Sequence, residues 1–164
     1  MKRALIVAMA AVAIVALPVA SAAQGKPDFS GKWTLDEAKS DPAPAGGGGR
    51  GGAMGSAASM TIKQTATQLT VDRVMGQGAQ TAVYKLDGSE SVNQMGMGQA
   101  KSKASWDGSR LVIATSMTMS TPNGEMTMDS KEIYSLGAGV LTIETTRNTP
   151  MGSQTRKLVY TKGS

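Results

Sequence analysis

No cysteine and no histidine occur in the 164 residues, and aromatic side chains make up only 4% of them. Without Cys there is no disulfide framework, so an apolar core must hold the fold. Without His the chain lacks the usual general base and the commonest metal ligand. Catalytic signatures are missing too. There is no G-x-S-x-G and no metal-ligand spacing, and Gly46 to Gly49 do not lie between a strand and a helix with a following Lys, so they form no phosphate loop. Glu132 makes no carboxylate pair with Glu125, which falls in a turn, or with Glu144, which faces the other way. We expect neither an enzyme nor a cofactor.

Charge of one sign is not concentrated either. The formal net charge is +5 with a pI near 9.6, but the basic residues are scattered and aromatics do not interleave them. With that pattern the high pI is weak evidence for nucleic-acid or membrane binding, and no nucleic-acid partner is expected. The one long apolar run is at the start. Met1-Lys2-Arg3 is a basic head, Ala4 to Leu17 is apolar, and Pro18 precedes the small residues Ala20-Ser21-Ala22-Ala23. This has the form of a cleavable export signal over 1–23, and the run is shorter than the ~20 residues a spanning helix needs. Residues 24–164 are then an exported, periplasmic or extracellular domain of net charge +3, with no membrane insertion after cleavage, expected to be a monomer.

From Lys39 to Ala58 the sequence is KSDPAPAGGGGRGGAMGSAA, with too little apolar surface to offset its chain entropy. A flexible Gly-rich loop is expected over 39–58. Everything after it alternates. Short runs rich in Thr, Val, Ile, Leu and Tyr are separated by TATQ, MGQG, LDGS, WDGS, TPNGE, LGAG and TPMG. The spacing predicts strands near 31–36, 59–65, 68–74, 79–86, 90–94, 99–106, 110–121, 126–136, 140–147 and 153–161. An all-β antiparallel up-and-down barrel of eight to ten strands follows, or else a sandwich.

Turn chemistry sets the registers. A two-residue turn at Asn123-Gly124 pairs Pro122 with Glu125 and puts Met119 opposite Met128, Ile113 opposite Tyr134 and Leu111 opposite Leu136. A turn at Ala138-Gly139 puts Leu136 against Leu141, Tyr134 against Ile143 and Glu132 against Thr145. A connection over Thr149 to Gly152 then sets Arg156 against Thr145 and Tyr160 against Leu141. One inner face results: apolar at one end, then a polar layer of Thr115, Glu132, Thr145 and Arg156, then Met117 and Arg147. The ten methionines left after signal cleavage are expected at or near the far end.

The chain resembles the lipocalin-like (calycin) proteins, exported barrels with Gly-x-Trp at the start of the first strand and a long loop after it. Gly31-Lys32-Trp33 and the loop from Lys39 to Ala58 carry the resemblance, with K-L-D-G, S-W-D-G and L-T-I-E later in the chain. It implies that Gly31 and Trp33 are structural, with Trp33 across the closed base against a basic side chain from a late strand, for which Arg156 is the nearest match. Ten strands and no disulfide bring the chain closer to the fatty-acid-binding relatives.

The binding function expected is capture of a small apolar or amphipathic ligand inside the barrel. Glu132, Tyr134, Arg147 and Arg156 would meet its polar group, unless the charges form a structural ion pair in a filled barrel. Met117, Met119, Met126 and Met128 would form an adaptable portal. Two other functions stay open: a soft-metal protein holding Cu(I) or Ag(I) on those same four thioethers, and a solid structural or interaction domain.

Overall fold

A computed structural model describes residues 25–42, 56–75, 78–95, 98–121, 124–149 and 152–163. The expected export segment and most of the Gly-rich loop, 43–55, lie outside them. Ten strands follow in order: β1 (Gly31–Leu35), β2 (Ser59–Gln64), β3 (Gln68–Met75), β4 (Gly78–Lys85), β5 (Ser91–Met95), β6 (Gly98–Asp107), β7 (Arg110–Thr121), β8 (Gly124–Gly137), β9 (Val140–Thr149) and β10 (Gly152–Lys162). Every one matches an expected strand to within two residues. Alternation of buried and exposed positions is visible within them, as in β6, where Gly98, Ala100, Ser102 and Ala104 are buried and the lysines between them are exposed.

The strands form one antiparallel sheet in the order β4-β3-β2-β1-β10-β9-β8-β7-β6-β5. The sheet curls until its two edges meet. No backbone ladder joins β4 to β5. Instead the Asn93 carboxamide accepts the Val83 N–H at 2.8 Å and donates to the Val83 carbonyl at 3.0 Å, while the Ser91 hydroxyl accepts the Lys85 N–H at 2.8 Å. Two buried polar side chains thus imitate the missing strand contacts and bring the barrel close to closure.

Registers on one side agree with the turn arithmetic. β8 and β9 pair Leu136 with Leu141 and Glu132 with Thr145, and β9 and β10 pair Thr145 with Arg156 and Leu141 with Tyr160. The turn between β8 and β9 has positive φ at Ala138 (50°) and Gly139 (75°), the signature of a type I′ turn. Between β7 and β8 the expected register is off by two residues. Thr121 faces Gly124, so Met117 opposes Met128, Met119 opposes Met126, and Leu111 opposes Tyr134. The two-residue connection is therefore Pro122-Asn123, outside the described residues. Pro has no N–H for a ladder and suits the turn better than a strand end. A two-residue slip leaves every side chain on its expected face, so the inner face survives the correction.

All six aromatic residues serve that interior. Phe29, Trp33, Tyr84, Tyr134 and Tyr160 are buried and Trp106 packs against them. The segment before β1 lies across the base: the Phe29 ring stacks on Trp106 with centroids 6.0 Å apart and meets Tyr134 edge-on, and its carbonyl accepts the Trp33 indole N–H at 2.8 Å. Gln64 clamps the segment, accepting the Phe29 N–H and donating to the Pro27 carbonyl. Trp33 is buried in the core. The basic group over its ring is Lys162, 5.7 Å away, and not Arg156.

Candidate functional site

Alternation within β3 drives Leu69 and Val71 into the core and sends Arg73 after them. Across the interior β8 brings Glu132 and Tyr134. The Arg73 guanidinium meets the Glu132 carboxylate at 2.8 Å and donates to the Tyr134 hydroxyl at 2.6 Å, and that hydroxyl donates to Glu132 at 2.9 Å. The pair is mostly enclosed, with side chains 12% and 18% exposed. Burial alone would lower the Arg73 guanidinium, but the carboxylate of Glu132, with the Tyr134 and Tyr84 hydroxyls, holds it well above its ordinary value. Burial pushes the Tyr134 hydroxyl well up, with Glu132 adding to the effect and Arg73 opposing it.

Glu132 was expected in one layer with Arg156, with Arg147 near, either to meet a ligand or to form a structural ion pair. Arg73 takes that place, and the turn arithmetic could not reveal it because β3 and β8 touch only across the barrel. Arg156 is bound elsewhere. Its Nε and one Nη donate to the Asp41 carbonyl at 3.1 and 2.9 Å, while the Asp41 carboxylate accepts the Lys157 N–H at 2.7 Å. Ser40 adds to this dock, accepting the Val159 N–H at 2.9 Å. Ser40 and Asp41, at the start of the Gly-rich stretch, are therefore held along β10.

Arg147 is different. It is half-buried opposite Ser130, and among the described residues its guanidinium makes no hydrogen bond or ion pair. Burial lowers it from its ordinary value, Glu132 opposes that, and Arg73 and Arg156 add to it. Arg73, Glu132, Arg147 and Arg156 line one cavity of about 80 Å³, floored by Met60, Ile143, Leu158 and Tyr160. Three guanidiniums face one carboxylate there. The hollow is electropositive with an apolar floor, and a pocket of that kind can hold an anionic group with a carbon skeleton attached. A second, more open hollow of about 330 Å³ lies at the base beside Lys26, Asp28, Gln64 and Trp106.

Met117, Met119, Met126 and Met128 are half-buried on the inner face towards the other end. Met75 lines the cavity mouth. Met60 departs from the expected rim: it pairs with Trp33 and is buried in the core. Met54, Met97 and Met151 lie outside the described residues. No group of three or more carboxylates that could hold a metal occurs among the described residues.

No family model and no curated protein sequence matches the chain. Solved structures do. The ileal bile acid-binding protein of zebrafish, complexed with cholic acid, superposes with a TM-score of 0.60 at 17% identity, over 82% of this chain and 98% of that one. An abundant heat soluble protein of Ramazzottius varieornatus gives 0.59 at 16% identity, over 82% and 95%. Lipid binding protein 8 of Caenorhabditis elegans, in its apo form, gives 0.55 at 11%, over 82% and 95%. The fold is that of the lipocalin-like, calycin barrels, in the ten-stranded form.

Proposed function

We propose that this protein is an exported binding module, periplasmic or extracellular, for a small amphipathic anion, and not an enzyme. The ligand's acidic head meets Arg147, and its apolar part lies along Ile143, Leu158 and Tyr160. The observation that carries this reading is Arg147: a half-buried cation in the cavity that makes no hydrogen bond or ion pair among the described residues. A buried charge is costly unless it is paired, so an unpaired one in a hollow favours an incoming opposite charge. The likeness to barrels described as binding bile acid and lipid supports the apolar half of the reading.

The cavity is small against the ~300–1,000 Å³ of ordinary ligand sites. This favours one rival, a solid barrel acting as a structural or interaction domain. It also limits the ligand to a short chain unless the methionines give way. Isothermal titration of the mature protein with short- and medium-chain alkyl carboxylates and with alcohols of matching length separates the two readings. The carboxylates are expected to bind at least tenfold more tightly, and Arg147→Met should erase the preference. Absence of binding by both series would leave the solid barrel standing.

A further inference from the structure

The β7–β8 ladder sets Met117 directly opposite Met128 and Met119 directly opposite Met126. Period-two alternation puts all four on one inner face, as the corners of a rectangle ~5 Å across the strands and ~7 Å along them. Each sulfur lies two bonds beyond its Cβ on a flexible, unbranched chain, so four thioethers can converge on one point above that face. The neighbouring strand leaves them room. Ala100 lies beside Met117, and at Gly98 an added Cβ would come within 3.1 Å of the Met119 Cγ and 2.7 Å of the Thr118 carbonyl.

We infer that these four methionines form a binding site for one soft monovalent cation, Cu(I) or Ag(I). Neutral, polarisable thioethers select such ions. Competing ligands are scarce: the sequence has no Cys or His, and of the inner hydroxyls next to the methionines Ser102 and Thr115 are bonded to each other at 2.8 Å, leaving Ser130. Hard divalent ions find no oxygen cage. Arg147, on β9 opposite Ser130, which follows Met128 by two positions on β8, further disfavours a double charge. Thioethers carry no proton to displace, so uptake releases none and affinity is flat with pH, unlike that of Cys or His sites. None of the four methionines lines the Arg147 cavity, and each proposal is read with its own probe, a silver or copper ion here and an alkyl carboxylate there.

The test uses the wild-type mature chain labelled with [methyl-¹³C]methionine, titrated with Ag(I) and followed by NMR. At one equivalent the methyl signals of Met117, Met119, Met126 and Met128 are expected to shift together, with those of Met60, Met75 and Met95 still. Competition against a chromophoric Cu(I) chelator should give the same affinity at pH 5 and pH 8, and at least a tenfold loss when all four residues become Leu, which preserves apolar bulk. Shifts spread over the other methionines, no shift at one equivalent, or undiminished affinity in the Leu variant would each overturn the proposal.

Discussion

Removing Glu132 leaves Arg73 without its carboxylate, and removing Arg73 takes from Glu132 its one ion pair among the described residues. Breaking a buried pair from one side costs ~3–5 kcal/mol, whereas replacing both members with apolar groups is often close to neutral. Arg73→Leu is therefore expected to lower unfolding stability by about 3 kcal/mol. The double variant with Glu132→Leu should recover most of that loss, as read by urea denaturation of all four members of the cycle. Additive losses, with the double variant losing the sum of the two single ones, would show that the pair is not coupled. The inward direction of Arg73 was legible in the alternation Leu69-Thr70-Val71-Asp72-Arg73. Its partner was not, because only the curvature of the whole sheet brings β3 over β8. Glu132, Tyr134 and Arg147 were placed inside by hairpin arithmetic alone, since each lies on consecutive strands with tight connections. Arg156 was placed on the right strand face, but its bond to Asp41 depends on a loop without periodic pattern.

Among elements, the seam between β4 and β5 is the weakest join. Asn93→Ala removes a donor and an acceptor together and leaves both backbone groups of Val83 facing the seam unpaired, each worth ~1–3 kcal/mol if buried. We expect a loss of about 2 kcal/mol in stability and much faster hydrogen exchange at the Val83 amide, with exchange in the β8–β9 ladder scarcely changed. Uniform acceleration across the barrel would mean that the seam opens only with global unfolding. Strand positions were legible because Gly-containing turns mark them. The tetrads MGQG, MGMG, TPNG and TPMG each end on the glycine that opens the next strand, opposite the first residue of the tetrad: Met75 with Gly78, Met95 with Gly98, Thr121 with Gly124 and Thr149 with Gly152. Treating the four tetrads alike gives the correct β7–β8 register. Treating Asn123-Gly124 in isolation as a hairpin turn does not.

For the whole molecule, the burial of every tyrosine fixes its behaviour in alkali. Burial pushes the Tyr160 hydroxyl up to about 12, and those of Tyr84 and Tyr134 also rise, again chiefly through burial. In the unfolded chain these groups ionise near ~10. Between those values the folded chain holds more protons than the unfolded one, so stability is full below pH 10 and falls as pH rises towards 12. Absorbance at 295 nm should show tyrosinate forming near pH 10 in guanidinium but only later, together with unfolding, in native buffer. A native titration near pH 10 with the fold intact would contradict this burial.

The open seam has one more consequence. Every ladder of the sheet joins strands consecutive in the chain except that of β1 with β10, where Trp33 meets Lys162 and the Gly163 N–H reaches the Lys32 carbonyl at 2.9 Å. The first and last strands thus lie side by side in the middle of the sheet, while the sheet's own boundary falls between two strands linked by a short turn. A circularly permuted chain, cut in that turn and spliced between residues 25 and 163, would keep every ladder and make the one distant pairing a local one. Such a chain would have a lower contact order, and so a faster route to the same barrel.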